Sequence, residues 1–328
     1  MKFPPLSLLD LVRVTEAGGP RQALLNARAI AAHAEGLGFT RYWVAEHHNM
    51  VGIGSAATPV VLAHVAAGTT TIRVGAGGVM LPNHAPLIVA EQFGTLAQLH
   101  PGRIDLGLGR APGTDQATLR ALRQHPAASD RFPQDVVELM GYFAAEDGTP
   151  RIRAVPAPGT DVAFWILGSS QFGALLAAQL GLPYGFAAHF APDYLDEALH
   201  LYRANFRPSA ALREPHALVC VNTVCAETEA EARHLFTTAQ QSFLGLIRNA
   251  RGYSLPPVPD IEALWTPRER NHVMHMLGCH AVGDPAQVRA ALQAIVTRTQ
   301  ADEVMLVTDI YDFDARARSL ALTMEAWR

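Results

Sequence analysis

The amino-acid sequence predicts an α/β protein, a (β/α)8 TIM barrel running as a single domain over residues 1–328. Three observations carry that prediction. Short runs rich in Val, Ile and Leu alternate with longer helix-periodic stretches, and eight successive βα units suit a closed barrel better than an open sheet. Several of the short runs are apolar without strict alternation, as parallel strands are when both faces are covered. No linker-like change of composition divides the 328 residues, and α/β barrels of this size run as one domain.

The predicted strands are Leu6–Leu11, Arg41–Ala45, Ile72–Val79, Ile104–Gly109, Ala163–Leu167, Tyr184–Ala188, Leu218–Cys225 and Glu303–Thr308. Helical patterns lie between them at 21–36, 56–67, 86–99, 114–124, 134–145, 171–180, 192–206, 227–250 and 285–299, with a last one at 315–327. Pro86, Pro133, Pro192 and Pro285 mark first turns, where proline loses no needed hydrogen bond. Asp284 reads as the N-cap before Pro285. Gly36 and Gly38 close the first helix, as glycine does at left-handed C-terminal positions. Irregular chain is expected at Pro150–Thr160 and Arg251–Asn271, the second as an extended excursion.

Composition removes several function classes. The chain is 49% hydrophobic and 17% charged, which excludes disorder and supports a large core. A net charge of −4 offers no basic surface for nucleic acid. No apolar run approaches the ~20 residues of a membrane span, and the opening MKFPPLSLLDLVRV lacks the long apolar region of a signal peptide. Three cysteines are too few and too odd in number for a disulfide scaffold. The expectation is a cytoplasmic protein.

In a (β/α)8 barrel chemistry gathers where strands end. The second strand ends Glu46-His47-His48, and a histidine at the mouth can move a proton near neutral pH. The alternative has one histidine facing the helices and bonding a carbonyl. Adjacent histidines diverge on a strand and share one ion poorly, so no metal is assigned to them. Gly77-Gly78 inside the third strand marks a bulge or a close approach by a flat ligand. Glycines at 107, 109 and 113 miss the dinucleotide-binding spacing. Arg110, at the end of the fourth strand, offers a two-pronged phosphate contact, or else a surface ion pair. Gly168-Ser169-Ser170 before a helix resembles a phosphate cup; plain serine N-capping is its alternative. His272, His275, Cys279 and His280 have ligand-like side chains but read as helix or loop surface, and Cys220 and Cys225 as core. No serine-hydrolase elbow or P-loop lysine pattern occurs.

These residues, with long stretches around them, resemble the luciferase-like, flavin-dependent monooxygenases of the short-chain bacterial group. The resemblance covers nearly the whole chain: LSLLDL at the start, Gly38–His48, IRVGAGGVMLP at Ile72–Pro82, PGRIDLGLGRAPG at Pro101–Gly113, WILGSSQFGALLAAQLGLP at Trp165–Pro183 and ADEVMLVTDIY at Ala301–Tyr311. It implies a (β/α)8 barrel whose cofactor is reduced FMN, delivered by a separate flavin reductase and reacting with O2 to oxidise a small organic substrate. His47 takes the place of the family's active-site histidine. Gly77-Gly78 falls where a non-prolyl cis peptide supports the flavin ring, and Arg110, Ser169 and Ser170 fall at the phosphate. Gly109 stands where bacterial luciferase has a reactive cysteine, so light-emitting aldehyde chemistry is not implied. Phe172-Gly173 replaces hydroxyl-bearing residues of the phosphate cup. Relatives that use the deazaflavin F420, or that bind flavin without catalysis, supply the alternatives. The resemblance and the apolar helices at 56–67 and 86–99 both point to a homodimer.

Overall fold

A computed structural model describes residues 3–111, 114–125, 127–144 and 152–328. Pro112 and Gly113 of the glycine-rich run, the last residue of the predicted helix 134–145 and the start of the Pro150–Thr160 stretch lie outside them. The strands are β1 (Leu6–Asp10), β2 (Arg41–Val44), β3 (Arg73–Met80), β4 (Ile104–Gly109), β5 (Ala163–Gly168), β6 (Tyr184–Phe186), β7 (Ala217–Cys225), β8 (His280–Gly283) and β9 (Glu303–Val307). Helices are α1 (Gly19–Leu37), α2 (Thr58–Ala66), α3 (Pro86–Leu99), α4 (Gln116–Ala121), α5 (Phe132–Gly141), α6 (Gln171–Leu180), α7 (Leu195–Ala204), α8 (Glu229–Ile247), α9 (Pro267–Met276), α10 (Pro285–Thr299) and α11 (Phe313–Trp327).

Strands β1 to β7 pair in parallel in chain order, β7 pairs with β9, and β9 returns to β1. The eight-stranded barrel is therefore closed, which removes every edge. The short β8 is a ninth strand beyond those predicted, paired with Asn222–Cys225 of β7. Its sequence, His-Ala-Val-Gly, is too short and too mixed to show a strand pattern.

Several local signals read from the sequence hold. Asp284 caps α10 by accepting the Gln287 N–H at 2.9 Å, and Gly38 ends α1 at φ 90°. Others need correction. Gly36 lies inside α1, and Pro192 precedes α7 by three residues, outside its first turn. The excursion at Arg251–Asn271 holds the start of α9, which Thr266 and Glu269 open with a reciprocal capping box.

The N-terminal end of the barrel is filled by buried charge. Asp105 accepts from Arg41 at 2.9 Å, from Arg73 at 2.7 Å and from the Trp43 indole at 2.9 Å. Arg41 also pairs with Glu303 at 3.0 Å. Arg41, Arg73, Asp105 and Glu303 each sit at the first or second position of their strand, so this network plugs the floor opposite the catalytic end of such a barrel.

Outside the barrel, Glu35 of α1 binds the turn before β3 through the N–H groups of Thr70 (2.8 Å) and Ile72 (2.9 Å), with that of Thr71 beside them. Burial works to raise its carboxyl, but those three N–H groups overcome it and bring the value to about 2. A lowered folded value contributes stability above the unfolded value near 4.5, and this is lost as pH falls from there towards about 2. Glu35→Gln is therefore expected to lower the thermal midpoint at pH 7 and to have little effect at pH 2. An equal drop at both would contradict the assignment.

Candidate active site

The C-terminal mouth is built from loops held by buried ions. Asp10 ends β1 and accepts the Val12 N–H at 2.7 Å, fixing Val12 at φ 49°, an unusual conformation for a β-branched residue. The Tyr42 hydroxyl (2.5 Å) and Arg316 (3.1 Å) hold Asp10 in turn. The following residue, Arg13, reaches Asp309 beyond β9 at 2.6 Å.

His47, beyond β2, is half-buried. His189, just beyond β6, is buried, with its carbonyl accepting the Asn222 amide at 2.5 Å. Burial, reinforced by the positive charge that His47 and Arg13 can present, pushes His189 down to about 3. His189 is thus a neutral imidazole at physiological pH. The mouth brings His47, His189, Arg13 and Asp309 together, and of these the sequence reading singled out only His47 as a site residue.

On the other side of the mouth, β5 runs into Ser169 and Ser170, and α6 starts behind them. Ser170 stands at the N-cap with extended backbone, yet its side chain makes no capping hydrogen bond. Plain N-capping therefore does not account for this serine. Arg110, exposed after β4, lays its guanidinium over the Phe172 ring at 4.1 Å from the centroid. Phe172 lies in the first turn of α6, so this stacking brings the cation to the helix N-terminus. The residue read from the sequence as a departure from the phosphate cup is a platform for Arg110.

The Gly77–Gly78 peptide is cis, as expected, and the β3–β4 register shifts between Gly77 and Val79. A Cβ on Gly78 would meet the Gly107 carbonyl at 2.6 Å, and one on Gly77 would meet Leu9 at 2.8 Å. Close packing inside the barrel thus requires glycine at both positions. The bare backbone of this bulge stands beside the β2 end, where the Glu46 N–H donates to the Gly78 carbonyl at 3.3 Å.

The chain's relatives identify its family and its fold. The sequence profile of the luciferase-like monooxygenases matches residues 5–303. The chain belongs to that family. It is 52% identical over 320 residues to a luciferase-like monooxygenase of Escherichia coli (strain K12), covering 97% of this chain and 96% of that one. Its structure is similar to apo-MsnO8, at 34% identity and a TM-score of 0.88, over 99% of this chain and 98% of the other. Likeness in fold extends to the oxygenating constituent of 3,6-diketocamphane monooxygenase from Pseudomonas putida, a structure in complex with FMN. That match is 17% identical, with a TM-score of 0.71, over 98% of this chain and 96% of that one.

One group in this luciferase-like barrel was not found from the sequence. Glu46 accepts His48 Nε2 at 2.8 Å and His84 Nε2 at 2.9 Å, both on Oε1. Burial would raise its carboxyl, but these imidazoles bring it to about 2, and the hydrogen bond to Glu46 raises His48. The spacing Glu46-x-His48 is visible in the sequence, but His84 joins it only once β2 and β3 are neighbours. The set at 272–280, by contrast, does not gather. His275 pairs with Asp193 at 2.7 Å, the His280 ring binds the Leu277 carbonyl at 2.7 Å, and Cys279 is buried. Cys220 and Cys225 are buried in β7, as read from the sequence. Two surface clefts, of about 480 and 410 Å3, are lined by none of the predicted site residues. The site is therefore located by strand ends rather than by cavity size.

Proposed function

We propose that this family member is an FMN-dependent monooxygenase, using reduced FMN from a separate reductase and O2 to oxidise a small organic substrate in the cytoplasm. The observation that carries this reading is the α6 N-terminus: a Ser170 hydroxyl that makes no capping hydrogen bond, and Arg110 drawn over Phe172 in the first turn. That donor set fits the phosphate of FMN. Bound flavin supplies the oxidising chemistry, and the protein supplies binding, orientation and exclusion of water. Arg110, Ser169 and Ser170 would hold the phosphate, and the Gly77–Gly78 backbone would support the ring. His47 would hold or move a proton at its imidazole. His189, kept neutral, would add no competing charge. F420 use and non-catalytic flavin binding are the outcomes against which this reading is tested.

A charge-assisted contact to phosphate contributes ~1.5–3 kcal/mol, so Arg110→Ala is expected to weaken FMN binding by ~10–150-fold. Riboflavin, which lacks the phosphate, should bind parent and variant alike. Lysine at 110 should restore part of the loss, because it supplies charge without the fork. Equal loss for both ligands would make Arg110 a structural residue, and no loss for either would place the phosphate elsewhere.

The protein is also proposed to be a homodimer through the α2–α3 face. Val60 is 70% exposed and Leu99 65%, with Ile88 exposed between them. Apolar residues of this size left outward on adjacent helices mark an interaction surface. Sedimentation at micromolar concentration should give twice the chain mass, and a monomer would remove the claim. No described helix is long and apolar enough to cross a membrane.

A further inference from the structure

Five carboxylates are buried among the described residues: Asp10, Glu46, Asp105, Glu303 and Asp309. Four of them face guanidinium groups, Asp10 that of Arg316, Asp105 those of Arg41 and Arg73, Glu303 that of Arg41, and Asp309 that of Arg13. Glu46 differs. Its ion-pair partners are the imidazoles of His48, on Oε1, and of His84, which reaches both Oε1 at 2.9 Å and Oε2 at 3.0 Å. A buried charge is paired or coordinates a metal.

We propose that Glu46, His48 and His84 form a binding site for a divalent transition-metal ion of the zinc type. Two imidazole nitrogens and one carboxylate oxygen are the donor set of three-ligand zinc sites, which leave a fourth position to water. The same set disfavours Mg2+ and Ca2+, which take oxygen ligands. The three ligand atoms lie within 4.8 Å of one another, so modest movements of the rings close them on an ion. The carboxylate is already oriented: Oε2 accepts the Met80 N–H at 3.1 Å and Oε1 the Asn83 amide at 3.3 Å. Such outer contacts fix ligand direction and raise metal affinity. An approach route exists, because the His48 and His84 side chains are 17% and 28% exposed while Glu46 is 2% exposed. A bound ion would tie the end of β2 to the turn after β3, on both sides of the Gly77–Gly78 bulge. The three ligands need no flavin to bind an ion, so metal binding is independent of the proposed function.

The test uses the full-length protein, stripped with chelator and titrated with Co2+, then with Zn2+ in competition. One Co2+ per chain is expected, with the visible absorption of a four-coordinate nitrogen–oxygen site, displaced by one Zn2+. Glu46→Gln and His84→Ala should each weaken Co2+ binding at least about 100-fold, while His275→Ala should not change it. Circular dichroism and thermal midpoints check that each variant folds. His84 is part-exposed, so its variant keeps the test decisive if Glu46→Gln misfolds. Failure to bind Co2+ or Zn2+ at 100 µM, or binding unchanged in His84→Ala, would overturn the proposal and leave a protonated imidazole as the counter-charge of Glu46.

Discussion

Replacing His47 by alanine is expected to slow oxygen-consuming turnover with reductase-supplied FMN by ~10²–10⁴-fold, the usual contribution of a general acid or base. The expectation rests on the mouth's electrostatics as well as on the strand end. Of the neighbouring imidazoles of His47 and His189, that of His189 is pushed down to about 3 and stays neutral at working pH. Proton handling therefore falls to His47, since histidine is the side chain suited to that task near neutrality. FMN affinity, read by quenching of flavin fluorescence, should stay close to the parent's, because Arg110 and Ser170, the phosphate contacts proposed above, lie across the mouth. Parental turnover in the variant would make His47 a packing residue.

Asp105→Ala is expected to produce the largest loss of stability. The carboxylate is fully buried and receives Arg41, Arg73 and the Trp43 indole. Its removal leaves two guanidinium groups at the barrel floor without that partner. Arg41 retains Glu303 at 3.0 Å, and Arg73 retains only backbone carbonyls. Breaking a buried pair from one side costs ~3–5 kcal/mol, which lowers the melting temperature of a domain this size by ~4–7 °C. The floor lies at the end of the barrel away from the site, so folded variant protein should still bind FMN. A melting temperature within about 2 °C of the parent's would show that the network contributes little.

Much of the fold was legible because its signals are local. Gly38, Asp284 with Pro285, and the apolar runs of β3, β4 and β7 each act within a few residues. The failures are equally physical. β8 is a four-residue strand sustained by pairing with β7 rather than by its own pattern. α9 was signalled by its capping box, Thr266 to Glu269, but proline-rich surroundings masked it. For the site, His47, Arg110 and Ser169-Ser170 were placed at strand ends by the barrel's own logic, and the structure puts them there, with Gly77-Gly78 inside β3. Arg13 and His84 were beyond a linear reading. Their positions depend on which loops the closed barrel brings side by side. Phe172 shows the same limit, since its value lies in the contact it makes with Arg110.

The most direct test of the account is a stopped-flow experiment in which the protein is mixed anaerobically with reduced FMN and then with O2. The expected result is a transient absorbance distinct from both reduced and oxidised FMN, long-lived compared with free flavin in the same buffer. Direct return of oxidised flavin at the rate seen without protein would contradict it.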